Sequence, residues 1–168
     1  MRLAVALLHL YRSPGHNYRG HHGRPPGEHP MVEEARLVCV AGRGIQGDRY
    51  YDHQDNFKGQ ITFFADEVYQ DLCARFQLWT KAPAVFRRNV ITRGIDLNEL
   101  IGAEFELQGV RFLGVESCRP CYWMDQAFCP GTEAALEGRG GLRARILSDG
   151  TLKASENCVL ELAAPCEM

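Results

Sequence analysis

Short β-strand patterns separated by tight turns constrain the fold of this chain more than any other feature. Gln108-Gly109 and Asp149-Gly150 each predict a two-residue hairpin turn. The strand patterns cover residues 2–10, 32–40, 59–64, 87–92, 103–118 around Gln108-Gly109, and two or three final strands within 141–162. Many short strands with few helices predict a mainly β, α+β fold that closes into a barrel or a strongly bent sheet.

Residues 65–79 carry the strongest helical pattern. Asp66 and Glu67 would stand in the first turn, where carboxylates are favourable at the positive end of the helix dipole. An apolar residue recurs every three to four positions from Val68 through Leu72 to Trp79, which predicts one buried face. Residues 121–128 and 132–138 predict two shorter helices.

The bulk composition narrows the class of protein. A chain of 168 residues that is 45% hydrophobic predicts one globular domain over residues 1–168. A net charge of −2 argues against nucleic acid as a partner. No apolar run reaches the roughly 18 residues of a membrane span, and the apolar start is interpreted as a strand and not as a signal peptide. Seven cysteines, an odd number, favour free thiols in a reducing cytoplasm over a disulfide framework.

Residues 13–31 predict a long loop. Four histidines and several glycines and prolines fill this segment, and loops of such length in compact domains are commonly lids, binding loops or disordered. Two interpretations stay open: a solvated surface loop, or a mobile cover over a site in which one histidine donates protons.

The stretch "ESCRPCYWMD", residues 116–125, places Cys118 and Cys121 three apart. Arg119 and a following helix start would favour a thiolate, the form that acts as nucleophile or soft metal ligand. A structural zinc site needs four ligands, and the chain has no second pair at matching spacing. A thioredoxin-like pair would require a βαβ context, whereas this one predicts strand into short helix. A buried structural cysteine is the remaining alternative.

Three charged clusters are candidates for binding an anion. Asp48 and Arg49 follow Gly47 in a glycine-punctuated turn, where Asp48 would hold Arg49 or simply stabilise the turn. A guanidinium fork matches phosphate oxygens, so Arg49 is a candidate phosphate ligand. The remaining candidates are two further groups on predicted strands: Arg87, Arg88 and Asn89, and the alternating pair Arg143 and Arg145. Each group forms either a solvated edge or a wall of an anionic pocket.

The order of four motifs resembles the MOSC domain, the module at the C-terminus of molybdenum cofactor sulfurases. The motifs are "GIQGDRY" at 44–50, "RRNVITRGIDLNELIG" at 87–102, "CRPC" at 118–121 and "RGGLRARIL" at 139–147, and the resemblance spans about residues 2–162. It implies a MOSC-type β-barrel. The Cys-Arg-Pro-Cys order is similar to that of stand-alone bacterial members.

The resemblance implies a molybdenum-pterin cofactor. The family cysteine matches Cys121, which would carry a persulfide sulfur or ligate molybdenum, with Cys118, Arg119 and Asp48 in support. One of Arg87 and Arg88 would meet the cofactor phosphate and Asn89 a pterin edge; where some members have a glutamate, this chain has Arg88. Arg49, Arg143 and Arg145 are further candidates for the cofactor site.

Three functions follow as expectations. The first is binding of the cofactor with reduction of N-hydroxylated compounds, which requires a separate electron-donor reductase because the chain carries no flavin or iron–sulfur motif. The second is a non-enzymatic sulfur or cofactor carrier supplied by a cysteine desulfurase, since the chain has no room for a pyridoxal-phosphate domain. The third is a zinc-stabilised interaction module.

Overall fold

A computed structural model describes residues 1–164 of the chain. Its strands are β1 Arg2–Arg12, β2 Val32–Glu33, β3 Arg36–Val40, β4 Gly44–Ile45, β5 Ile61–Ala65, β6 Val90–Arg93, β7 Glu104–Leu107, β8 Val110–Ser117, β9 Leu142–Ile146, β10 Gly150–Lys153 and β11 Ser155–Leu162. The α-helices are α1 Asp66–Phe76, α2 Trp123–Ala127 and α3 Thr132–Ala135. Two 3-10 helices, Pro83–Phe86 and Leu97–Leu100, complete the regular structure.

Seven strands close into a barrel, which confirms the predicted fold class. The ring runs β1–β11–β7–β8–β9–β5–β6 and returns to β1. All of its pairs are antiparallel except β5–β6, which α1 and the first 3-10 helix connect. Strands β10, β3 and β4 form a second sheet, which shares no strand pairing with the ring. Closure leaves the seven strands without a free edge, which is how small β proteins avoid edge-to-edge association.

The chain buries two apolar clusters. The first fills the barrel, where Phe63, Phe105 and Phe112 meet at ring-centroid distances of 5.4–5.8 Å. The second packs α1 and α2 against the barrel around Phe86 and Phe128. The segment that contains Cys121 belongs to the second cluster. The candidate site therefore stands on packed elements.

The hairpin predicted at Gln108-Gly109 is confirmed. Both residues have positive φ, 51° and 81°, and Leu107 pairs with Val110 across the turn. The hairpin predicted at Asp149-Gly150 is wrong. β9 pairs with β5 and β8 in the barrel, whereas β10 pairs with β3 in the other sheet. The Asp149 carboxylate instead accepts a hydrogen bond from the backbone N–H of Ala41 at 2.8 Å.

Three predicted boundaries move. The helix predicted over 65–79 ends at Phe76 because Gln77 adopts a left-handed conformation, so Trp79 lies outside it and is 59% exposed. The strand predicted over 32–40 is split between β2 and β3. The strand predicted over 87–92 begins only at Val90, because Arg87 ends a 3-10 helix with a φ of 57°.

Loop 13–31 has neither helix nor strand, as the sequence predicts. It connects β1 directly to β2. The thiols of the six cysteines within residues 1–164 are free, which agrees with the prediction of free thiols; Cys166 lies outside the described residues. No helix of residues 1–164 is long and apolar enough to cross a membrane.

Candidate functional site

A cavity of about 310 Å³ surrounds Cys121, and we call it the Cys121 cavity. Five parts of the chain contribute to its walls: loop 13–31, the turn after β4, the segment before β6, the Cys121 segment and β9. Its lining residues are His16, Asn17, Tyr18, Arg19, His22, Arg49, Tyr50, Phe86, Arg87, Arg88, Arg119, Cys121, Trp123, Met124 and Arg143. Six of these are arginines, none is a carboxylate and one is a thiol, so the cavity favours an anion next to a nucleophilic or metal-binding sulfur.

Cys121 lies between β8 and α2 and is partly buried. Its carbonyl oxygen accepts a hydrogen bond from the backbone N–H of Met124 at 2.9 Å, which begins the turn that leads into α2. Pro120 removes one backbone donor directly before the cysteine. The backbone N–H of Cys118 donates to the carbonyl of Gly141 at 2.8 Å, so Cys121 stands on a short non-helical segment that is fixed at both ends.

Cys118 faces elsewhere. It is 2% exposed and lines a second cavity of about 600 Å³, which we call the Cys118 cavity. Asp125, Glu133 and Glu137 line the same cavity, so its charge is opposite to that of the Cys121 cavity. Arg119 borders both cavities. The two thiols of the Cys-Arg-Pro-Cys motif therefore lie in different surroundings.

Asp48 stabilises the turn that carries Arg49. Its side chain is 1% exposed and accepts hydrogen bonds from the backbone N–H groups of Ser13 at 3.0 Å and Tyr50 at 3.2 Å. It also pairs with the Arg49 guanidinium at 3.2 Å. A buried carboxylate with several charge-assisted partners is satisfied and holds its neighbours in place. Asp48 itself does not line the Cys121 cavity.

Arg49 and Arg87 border the Cys121 cavity, but most of their donors are occupied by the protein. Arg49 Nη2 donates to the carbonyl of Arg87 at 3.2 Å. Arg87 is 7% exposed and donates three hydrogen bonds to loop 13–31. Burial and the neighbouring Arg49 lower the pKa of Arg87 to about 10. These two arginines act first as structural elements of the cavity wall.

The other four arginines keep donors available for a ligand: Arg19 on loop 13–31, and three on the remaining walls of the cavity. Arg88 donates to the carbonyls of Gly140 and Phe86 through Nε and Nη1. Arg143 makes one long contact of 3.5 Å with Glu116, whose closer partner is Lys58 at 2.8 Å. Within residues 1–164, Arg119 has neither a hydrogen bond nor an ion pair to another side chain. Outside loop 13–31, Arg88, Arg119 and Arg143 are therefore the arginines with donors available to bind an anion.

Two predicted ligand residues lie away from the Cys121 cavity. Arg145 shares the face of β9 with Arg143, but its Nε donates to the carbonyl of Asn56 at 3.2 Å, and it does not line the cavity. Asn89 is 2% exposed. Its amide donates to the carbonyl of Tyr11 and accepts from Thr62, which ties β1, β5 and β6 together. Arg143 and Arg145 alternate on one strand face, so the sequence alone could not show that only Arg143 lines the cavity, nor that Asn89 lies away from it.

Loop 13–31 supplies a whole wall of the Cys121 cavity. The Tyr18 ring stacks on Trp123 at 5.0 Å and His22 Nδ1 lies 2.9 Å from the Tyr122 hydroxyl. Burial raises the pKa of Tyr18, the nearby Arg87 opposes this, and the charge of Cys121 adds to it. Arg19 also lines the cavity and was missed by sequence reasoning, although its position among loop histidines was a signal.

The surroundings of His16 favour its uncharged form. Burial lowers its pKa below the usual 6.5, and Arg49, Arg19 and His53 lower it further against the opposing effect of Asp48. Its ring meets Tyr50 edge to face at 4.9 Å. A neutral imidazole can accept a proton, and the imidazolium that forms can then deliver it.

The donor set fits a molybdenum-pterin cofactor better than a protein-ligated metal. Within residues 1–164 there is no cluster of three or more His, Cys, Asp or Glu side chains able to hold an ion. A metal at Cys121 would therefore take one protein sulfur and its other ligands from a bound group. The arginines with available donors would meet the negative charge of such a group.

The fold and the site define a seven-stranded barrel protein with one thiol in an arginine-lined cavity. The family model of the MOSC domain matches residues 20–159. The chain therefore belongs to the MOSC domain family, as the sequence motifs predict, and this family is associated with the molybdenum cofactor.

Solved structures share the fold. YuaD protein from Bacillus subtilis aligns with a TM-score of 0.73 at 17% identity, covering 96% of this chain and 97% of that one. YiiM from Escherichia coli gives a TM-score of 0.65 at 17% identity over 98% of this chain and 71% of that one. YiiM from Geobacillus stearothermophilus gives 0.68 at 13% identity over 95% and 75%. Comparison with curated proteins gave no match.

Proposed function

We propose that this protein binds a molybdenum-pterin cofactor in the Cys121 cavity. The observation that carries the proposal is the coincidence of one thiol with six arginines and no carboxylate in a cavity of about 310 Å³. Phosphate binds arginine through charge-assisted hydrogen bonds, and a thiolate suits a soft metal centre. Arg88, Arg119 and Arg143 would hold the phosphate, and Cys121 would ligate molybdenum or carry a transferable sulfur.

When bound, the cofactor would supply two-electron redox chemistry at a metal. The chain's own residues would bind the cofactor, orient it and protect it from water. Tyr18 and Trp123 cover one side of the Cys121 cavity by stacking at 5.0 Å, which limits access of water to that side. His16 lines the same cavity, and its lowered pKa favours the neutral imidazole, which can accept a proton from a substrate there.

Within this function we propose reduction of N-hydroxylated compounds as the enzymatic form. A separate reductase would supply electrons, and the protein would act in the cytoplasm. The alternative is a non-enzymatic carrier that receives sulfur on Cys121 from a cysteine desulfurase. The Cys121 cavity supports both, since each needs an accessible thiolate in a cationic site.

The test is expression in a host that makes the cofactor, followed by molybdenum, pterin and zinc analysis of the purified protein. We expect stoichiometric molybdenum and pterin in the wild-type protein. We expect the Cys121→Ser variant to lose both, or to retain the pterin without the metal. Protein without pterin would contradict the proposal, and stoichiometric zinc would favour the interaction module. Turnover of a hydroxylamine with a supplied reductase then separates the enzyme from the carrier.

A further inference from the structure

Arg87 has a backbone conformation that favours glycine. Its φ is 57°, and it ends the 3-10 helix Pro83–Phe86 with its N–H donating to the carbonyl of Ala84 at 3.0 Å. Glycine is the common residue at such a left-handed helix end, because it lacks a Cβ. A buried arginine in this place indicates that its side chain does something that outweighs the backbone preference.

The Arg87 guanidinium joins the two ends of loop 13–31. Nη2 donates to Ser13 Oγ at 3.1 Å and to the Gly15 carbonyl at 2.8 Å, at the start of the loop. Nη1 donates to the His29 carbonyl at 2.7 Å, near its end. The planar fork of arginine can hold two separate groups at once, which a lysine ammonium on its flexible stem does less well.

The rest of the loop supports this closure. The Asn17 side chain accepts from the backbone N–H of His29 at 2.8 Å, and the Asn17 carbonyl accepts from the N–H of Gly27 at 2.9 Å. Tyr18 then lies with its ring 5.9 Å from the Arg87 guanidinium and stacked on Trp123. Trp123 is 3% exposed and follows Cys121 by two positions.

We propose that Arg87 is a positioning residue that clasps loop 13–31 and so holds Tyr18 against Trp123 beside Cys121. The loop is then a fixed wall of the Cys121 cavity and not a mobile lid. The ligand is met by Arg88, Arg119 and Arg143. This inference rests on the proposed function only in taking the Cys121 cavity as the ligand site.

The first measurement follows the stack of Tyr18 on Trp123. The chain has two tryptophans, so a Trp79→Phe background leaves Trp123 as the only tryptophan, which is excited selectively over the tyrosines at long wavelength. In this background we expect Arg87→Lys and Arg87→Gly to raise acrylamide quenching of Trp123 at least about threefold, since the loop opens locally while the fold persists. Circular dichroism under the same conditions shows that each variant is folded.

Gln77→Gly is the matched control for the backbone. Gln77 also ends a helix in a left-handed conformation, with φ 51°, but lies on the surface. Glycine relieves the same backbone preference at both positions. We expect Gln77→Gly to leave Trp123 quenching unchanged, whereas Arg87→Gly increases it although its backbone is relieved.

The second measurement distinguishes positioning from ligand contact. Alkylation of Cys121 by neutral iodoacetamide reports access, and the rate ratio of anionic iodoacetate to iodoacetamide reports the cationic field. We expect Arg87→Lys to speed both reactions and keep the ratio, because the charge remains. Arg143→Met should lower the ratio without speeding the iodoacetamide reaction. Mass spectrometry of the Cys121 peptide separates it from other thiols.

Two results would overturn the clasp. Unchanged Trp123 quenching in both Arg87 variants would mean that Arg87 does not hold the loop. A lowered rate ratio in Arg87→Lys with unchanged quenching would make Arg87 a ligand contact. Both measurements use protein without cofactor, so a negative result contradicts the clasp and not the proposed function. The molybdenum and pterin analysis tests the proposed function alone.

Discussion

Cys118 and Cys121 line different cavities although only Arg119 and Pro120 separate them. Cys121 borders the cavity with six arginines, whereas Cys118 borders one with three carboxylates. A nucleophilic or metal-binding thiolate is favoured near cations and disfavoured near anions. This difference supports the proposal that the chemistry lies at Cys121 and that Cys118 has a packing role.

Replacement of each cysteine tests this assignment. We expect Cys121→Ser to abolish cofactor-dependent activity or sulfur loading, because serine offers no soft ligand or sulfur acceptor. Cys118→Ser should only weaken either, through the cost of a hydroxyl in a site that is 2% exposed. The measurement is molybdenum content and sulfur loading per chain. Equal loss in both variants would indicate a paired-cysteine mechanism.

Arg143 and Arg145 form a matched pair for testing phosphate binding. Both project from the same face of β9, but Arg143 lines the Cys121 cavity and Arg145 bonds to the Asn56 carbonyl outside it. A charge-assisted hydrogen bond contributes about 1.5–3 kcal/mol. We expect Arg143→Met to weaken cofactor binding roughly 10- to 100-fold, measured by cofactor retention on dilution.

Arg145→Met serves as the control and should retain the cofactor like the wild type. Both variants lose one positive charge, so any difference between them reflects contact and not net charge. If Arg145→Met weakens binding as much as Arg143→Met, the arginines act only through the general field of the surface.

The barrel fold was predictable from sequence in part because some of its turn signals are local. Gln108-Gly109 specifies a turn that needs two positive φ values, and few sequences other than Xaa-Gly satisfy it. Asp149-Gly150 carries the same signal but starts a strand of another sheet. Pairing with β3 across more than a hundred residues decides its role, and no local pattern encodes that.

The division of labour among the arginines was not predictable. Arg87 and Arg88 are neighbours in sequence, yet Arg87 is buried under loop 13–31 and Arg88 points to the Gly140 carbonyl. The left-handed conformation of Arg87 sends the two side chains apart. Nor did Ser13 give any signal, although its buried hydroxyl and backbone join Asp48, Arg49 and Arg87.

Asp48 should be a stability determinant and not a ligand. Its carboxylate accepts from four donors at 3.0–3.4 Å, including Ser13, Arg49 and Asn89. Asp48→Asn removes the negative charge that pairs with the buried Arg49 guanidinium. It also places an amide group where the carboxylate accepts hydrogen bonds. Breaking a buried pair costs about 3–5 kcal/mol, so we expect a large fall in the free energy of unfolding in urea.

Asp52→Asn is the control for that measurement. Asp52 also pairs with an arginine, Arg43, but both side chains are about half exposed. Exposed pairs contribute little to stability, so this variant should unfold close to wild type. A similar loss of free energy of unfolding in both variants would mean that the buried network around Asp48 stabilises the protein no more than an exposed ion pair does.

His16 predicts how stability changes with pH. Its folded pKa lies below the usual 6.5 because of burial and the charges of Arg49, Arg19 and His53, with Asp48 opposing. Between the folded pKa and 6.5 the unfolded chain binds more protons than the folded protein. Linkage then requires the free energy of unfolding to decrease as the pH falls from 6.5 through the folded pKa, and to show no further loss from this group below it.

His16→Gln should remove that part of the pH dependence. We expect the difference in free energy of unfolding between about pH 7.5 and about pH 5 to be smaller in the variant than in the wild type. Urea titrations at both values provide the measurement, and His53, whose pKa burial also lowers, stays in place in both proteins. An unchanged difference would show that the His16 imidazole accepts a proton as readily in the folded cavity as in the unfolded chain. It would also contradict the proposed role of His16 as a neutral proton acceptor in the Cys121 cavity.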